Sequence, residues 1–211
     1  MVILWDWDKL KINTKVSIGN QGIPQQMSAT KPEEEIPLNF QITFCAMNDG
    51  SVVVTGPDTF NYYRIEEGEL QPSLTRINNK GLDLTTKYSC HTWMTDGRLI
   101  VCTDVGEIII LEDDGEFVAY LPDSPIQEEE NFKIEAITPM QRGGFLVAGN
   151  NRIYVYEKMD DSKIPYKQAC EPMDIVLDQK DTSIASHVTH LVKSMCLSQT
   201  DDYIYFTTAN N

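Results

Sequence analysis

Over residues 89–121 the chain alternates short apolar runs with polar corners. The runs 99–102, 108–111 and 117–121 are rich in Ile, Val and Leu. Corners fall at Asp96 and Gly97, at 104–106 (Asp104, Val105, Gly106) and at 113–115 (Asp113, Asp114, Gly115). Apolar runs this short, bounded by Asp and Gly, predict antiparallel strands joined by hairpins and are too brief for helices. With 89–94 in front, the stretch predicts four strands in 33 residues.

The same order of runs and corners occurs on both sides. Upstream are 41–46, a corner at Asn48, Asp49 and Gly50, then 51–55, a corner at 56–59, 60–65, and a turn at Glu67 and Gly68. Downstream are 132–138, a corner at 141–144, 145–148, a corner at 149–151, and 152–156. The polar residue of the second corner is Asp58, then Asp104, then Asn150, and the spacing is constant: 104 − 58 = 46 and 150 − 104 = 46. Four strands repeated at this period are the sequence signature of a β-propeller blade. The expectation is an all-β, WD40-like propeller with about three full blades and two partial ones.

In chain order, 1–16 reads as the end of a blade, with strands 2–7 and 9–16. The dipeptide Trp5-Asp6 stands where a WD40 repeat closes its third strand. An insertion loop over 17–38 follows, then blades at 39–76 and 88–121, an acidic loop at 122–131, a blade at 132–168, an insertion at 169–188 and a half blade at 189–211. A propeller ring needs about 4–8 blades to protect its sheet edges. The expectation is therefore that this chain does not close a ring alone, that it is a piece completed by another chain or segment, and that alone it dimerises or aggregates.

Composition narrows the partners. The net charge of −15 provides no means of neutralising phosphates, so nucleic acid and anionic membrane surfaces are not expected partners. Cys45, Cys90, Cys102, Cys170 and Cys196 are odd in number, include no CxxC, and several fall in apolar runs, which fits free thiols in a reducing compartment. The opening MVILWDW lacks the basic region and apolar core of a signal peptide, and no apolar run approaches the ~20 residues of a membrane span.

The insertions 17–38, 77–87, 122–131 and 171–187 all connect the last strand of one unit to the first strand of the next. In a propeller they emerge on one face, beside the corners at Asp58, Asp104 and Asn150. Loops held by a rigid scaffold are where binding concentrates. Glu33, Glu34, Glu35, Glu128, Glu129 and Glu130 lie on these loops. They read either as solvated runs or as an acidic contact for a partner. Asp49, Gly50, Asp58, Asp96, Gly97, Asp104, Gly106 and Asn150 read as structural turn residues, the Asp58 and Asp104 carboxylates capping their own turns.

Catalytic signals are weak. His187 and His190 have no evident third metal ligand, His91 reads as a packed, hydrogen-bonded histidine, and no GxSxG, HExxH or glycine-rich phosphate loop occurs. No enzyme activity, cofactor or metal is expected. Gly143 and Gly144 resemble a kelch double glycine without its accompanying aromatics.

Five segments carry a family resemblance: Trp5-Asp6-Trp7-Asp8-Lys9, VVVTGPDTFNYYRIEEGELQ (52–71), CHTWMTDGRLIVCTDVGEIIILE (90–112), GGFLVAGNNRIYVYEKMD (143–160) and SMCLSQTDDYIYFTTANN (194–211). In this order they resemble the WD40-repeat family of cilia- and flagella-associated protein 57. His91-Thr92-Trp93 with Thr103, Asp104 and Gly106 is the most specific part. The resemblance implies a non-catalytic scaffold of the ciliary or flagellar axoneme that helps dock or regulate inner dynein arms on doublet microtubules. Its implied partners are inner dynein arm components, other ciliary WD40 proteins and the doublet itself. No heptads of the family's coiled coil occur here. The alternative is a generic cytosolic propeller adaptor whose acidic face selects basic peptide segments.

Overall fold

The structure is a computed structural model of the chain. It describes residues 2–6, 11–16, 40–48, 50–56, 59–73, 87–125, 132–160, 163–175 and 192–208. Three antiparallel sheets follow one another in sequence. The first contains β3 (Gln41–Phe44), β4 (Ser51–Gly56), β5 (Thr59–Glu66) and β6 (Glu69–Ser73); the second contains β7 (Tyr88–Trp93), β8 (Leu99–Thr103), β9 (Ile108–Leu111) and β10 (Phe117–Tyr120). The third contains β11 (Ile134–Pro139), β12 (Phe145–Gly149), β13 (Arg152–Lys158) and β14 (Tyr166–Gln168), with β15 (Met173–Asp174) also on β13. Each sheet is ordered as the chain runs, a meander of successive hairpins. Two-stranded pairs flank them: β1 (Val2–Asp6) with β2 (Lys11–Val16), and β16 (Val192–Leu197) with β17 (Ile204–Thr208).

The sheets stack as blades. First strands lie against first strands, β3 beside β7, β7 beside β11 and β11 beside β16, which puts them at the hub and the last strands at the rim. The middle sheet is buried on both faces, as its uninterrupted runs LIVCT and IIIL require. Alternation then divides each strand between two seams. Leu99, Val101, Ile109 and Leu111 meet Cys45, Val53 and Tyr62 of the preceding sheet. Ile100, Cys102, Ile108 and Ile110 meet Phe132, Ile134, Phe145, Val147, Tyr154 and Tyr156 of the following one. Burying one such side chain contributes roughly 1.5–3 kcal/mol, so these seams hold the blades in order.

The fold is thus an all-β WD40-like propeller in which the described sheets form an arc rather than a ring. The structure departs from the sequence reading at the third blade's outer strand. Within the blade expected over 132–168 that strand is only Tyr166–Gln168, and pairing with β13 resumes inside 169–188, where Met173 and Asp174 pair with Ile153 and Arg152. Pro172, which has no N–H to give to the ladder, lies in the interruption.

One turn recurs at the ends of the hairpins. Gly97, Gly106, Gly115 and Gly143 each adopt φ between +84° and +90°. Their amides donate back to the carbonyls of Met94, Thr103, Glu112 and Met140. Between β16 and β17 the same position is taken by Asp201, with φ +58° and its amide donating to the Ser198 carbonyl. Asp is among the few non-glycine residues that tolerate this region. At Gly144 the glycine is also sterically required, because a Cβ would lie 2.2 Å from the Tyr156 carbonyl oxygen.

Candidate interaction surface

The hairpins give the arc two ends. At one end lie the corner after β8, the Asn150 corner and the connections from each last strand to the next first strand. The other end bears the turns after β3, β5, β7, β9, β11, β13 and β16. Glu33, Glu34, Glu35, Glu128, Glu129 and Glu130 lie outside the described residues, as do Asp49, Asp58, His187 and His190. The end bearing the turns after β3, β5, β7, β9, β11, β13 and β16 is acidic: Glu66, Glu67, Glu69, Asp113, Asp114, Glu116 and Asp202 are all exposed there. Sequence reasoning passed over them because they are spread among turns rather than gathered in runs. The strand parity that puts them on one end is their only sequence signal.

The turn residues divide by what they bond. At the first end, the carboxylate of Asp104 sits at an exposed corner, and the Thr103 hydroxyl instead accepts the Glu107 amide at 3.0 Å. Asn150 (φ +47°) and Asn151 (φ +62°) form a two-residue hairpin turn of the type that needs two positive φ angles. The Asn150 side-chain oxygen accepts the Lys133 amide. At the opposite end, Gly50 leads into β4, and its amide donates to the Asn48 side chain. Asp96 accepts the Arg98 amide and Arg98 Nη1 within its own turn, and also Lys158 Nζ of the next blade at 2.9 Å. Burial pushes the Asp96 carboxyl up, but the bonds from Lys158 and Arg98 outweigh it and hold the group below its ordinary value.

Side chains also join the blades at the hub. Gln41 on β3 donates its amide to the His91 carbonyl at 2.8 Å and accepts the His91 N–H at 2.7 Å. The buried His91 ring then bonds Thr43 through Nε2 at 2.6 Å and Thr55 through Nδ1 at 2.8 Å. Burial lowers its pKa to about 4. A neutral ring, engaged at both nitrogens, locks two blades and has no exposed face for acid–base work. At the next seam but one, the Glu135 carboxylate accepts the Val192 amide at 2.7 Å. Burial raises the Glu135 pKa, against the opposing effect of that bond. Among the described residues no group of three His, Cys, Asp or Glu side chains converges to hold a metal ion. A polar groove of about 460 Å³ opens beside Asp123, Gln168 and Cys170, at the rim between the second and third blades. Cys45, Cys90 and Cys102 are buried free thiols, whereas Cys170 and Cys196 are exposed.

The chain is 30% identical over 145 residues, 63% of its length, to cilia- and flagella-associated protein 57 A of Tetrahymena thermophila. Cilia- and flagella-associated protein 57 of Mus musculus is 21% identical along the whole chain. The chain is a relative of cilia- and flagella-associated protein 57. The alignments take in 11% and 18% of the lengths of those two ciliary proteins, so the chain corresponds to a small part of each. No family model matches it.

Solved structures agree on the fold. Raptor from Chaetomium thermophilum superposes with a TM-score of 0.56 at 13% identity, covering 99% of this chain and 17% of that one. The β-propeller domain of Cps50 (Swd1) from Myceliophteria thermophila gives 0.53 at 13% identity, over 78% of this chain and 52% of the other. The dihydro-heme d1 dehydrogenase NirN gives 0.53 at 13% identity, over 82% and 33%. One of these structures is an enzyme, so the fold by itself assigns no chemistry.

Proposed function

We propose that the chain is part of a non-catalytic WD40 scaffold in the cilium or flagellum, supporting inner dynein arm docking or regulation on doublet microtubules. The observation that carries this reading is the similarity to proteins named for cilia and flagella in a ciliate and a mammal, borne by a chain with propeller architecture. Dynein arm components, other ciliary WD40 proteins and the doublet are its proposed partners. His91, Thr55 and Glu135 are engaged in bonds between neighbouring blades, and turns and connecting loops are the proposed contact surface. Glu33, Glu34, Glu35, Glu128, Glu129 and Glu130 are the proposed partner contacts on the loop end.

Proximity labelling tests the proposal. The chain, fused to a labelling enzyme and expressed in ciliated Tetrahymena thermophila, is expected to biotinylate axonemal proteins, inner-arm components among them. Reversing all six glutamates to lysine is expected to reduce that labelling several-fold with no change in the thermal melt. Labelling of soluble cytosolic proteins alone would overturn the ciliary reading and favour a general adaptor for basic segments. Unchanged labelling after charge reversal would make the glutamates ordinary solvated residues.

A further inference from the structure

Two thiols in the middle blade face each other across a pair of strands. In the ladder between β7 and β8, Cys90 stands directly opposite Cys102. Both side chains enter the core that this blade shares with Ile134, Phe145 and Tyr154 of the third. Cys90 is 7% exposed and Cys102 is fully buried. Burial, and after it the neighbouring Cys90 thiol, push the Cys102 thiol well above its ordinary value, so it stays protonated. Cys45 is buried to the same degree, but in the other seam, whose core holds no second cysteine. Cys170 and Cys196 are exposed.

The backbone beside Cys90 is irregular. The ladder slips between Tyr88 and Cys90, which makes Ser89 the extra residue of a bulge. The Ser89 hydroxyl lies within donating distance of Cys90 Sγ at 3.7 Å and of the Cys102 and Thr103 carbonyl oxygens at 3.3 Å. Residues directly opposite in an antiparallel pair have Cα atoms about 4.5–5.5 Å apart, inside the roughly 4.4–6.8 Å that a disulfide spans. Their Cβ atoms, about 4.5–5.5 Å apart, need to approach to about 3.5–4.5 Å. A small inward shift of the two strands supplies this.

We propose that Cys90 and Cys102 are a peroxide-sensitive thiol pair that closes to a disulfide between β7 and β8. Cys90 is the sulfur attacked, because it keeps the pair's small exposure and has the Ser89 hydroxyl to hydrogen-bond its thiolate. Hydrogen peroxide transfers one oxygen to it: an S–O bond forms, the O–O bond breaks and water leaves, giving the sulfenic acid. The Cys102 sulfur then displaces that oxygen. The S–S bond forms, the S–O bond breaks, and the Cys102 proton departs with the hydroxyl as a second water. Two thiols are oxidised and one peroxide is reduced to two waters. Disulfides held under strain are the labile, regulatory ones. Because both sulfurs pack in the seam where β11 lies against β7, drawing them together loosens the contact between the second and third blades. The inference rests on the thiol geometry and not on the ciliary reading, so either can fail without the other.

The test uses the folded 211-residue chain with the exposed Cys170 and Cys196 replaced by serine. After peroxide treatment and alkylation in denaturant, a non-reducing peptide map is expected to link Cys90 to Cys102 and to find Cys45 alkylated. Dithiothreitol is expected to restore both thiols. Ser89→Ala is expected to slow the reaction several-fold, and Cys102→Ala to leave a sulfenic acid at Cys90 that dimedone captures. Amide exchange in β11 is expected to quicken several-fold in the oxidised chain. Cys90 and Cys102 alkylated as fully as Cys45, disulfides that join Cys45 as readily, or a disulfide that leaves β11 exchange unchanged would overturn the proposal.

Discussion

His91 is where sequence and energetics meet most directly. Its ring, fully buried, bridges two threonine hydroxyls and stays neutral because burial lowers its pKa to about 4 from 6.5. The unfolded chain binds that proton more readily, so His91 contributes stability that is fully present above about pH 6.5 and lost as pH falls toward about 4. The expected loss across that window is on the order of 3 kcal/mol. Thermal melts of the chain and of His91→Gln, followed from pH 7.5 to 4, check it. The variant is expected to start less stable and to show a shallower acid slope; parallel slopes would contradict the assignment. A histidine inside an apolar run announces burial, but its partners Gln41, Thr43 and Thr55 come from another blade, and no local pattern links them.

At the scale of elements, the repeated hairpin turn carries most of the architecture. The glycines that take positive φ were readable as corners, since Asp-Gly and Gly-Gly pairs mark such turns. Asp201 was readable only as part of a turn. Its side chain, 2% exposed, reaches the preceding blade and accepts the Gln141 and Arg142 amides at 3.0 and 3.1 Å. Removing it strands two donors, so Asp201→Ala is expected to lower stability by about 1–3 kcal/mol, and Asp201→Asn, which keeps an acceptor and tolerates positive φ, by less. Hydrogen exchange at Gln141 and Arg142 should quicken in the alanine variant first. By contrast, breaking the exposed Arg152–Asp174 pair should change stability by no more than about 1 kcal/mol.

For the whole molecule, the period of 46 residues was enough to fix the blade count and the order of strands, because a four-stranded meander buried on both faces writes itself into the sequence as apolar runs and corners. The interaction surface was less legible. The runs at Glu33–Glu35 and Glu128–Glu130 drew attention to one end of the arc, whereas Glu66, Asp113, Asp114 and Glu116 join on the other end only when hairpins are stacked. The continuation of the third blade's outer strand through Met173 and Asp174 was hidden by Pro172 and by the polarity around it. The measurement that tests the central claim most directly is retention of the chain in the axoneme. With an epitope tag, expressed in Tetrahymena thermophila, it is expected to remain with detergent-extracted and salt-washed axonemes and to be identified there by mass spectrometry. Recovery only in the soluble fraction, with none retained on washed axonemes, would contradict the scaffold account.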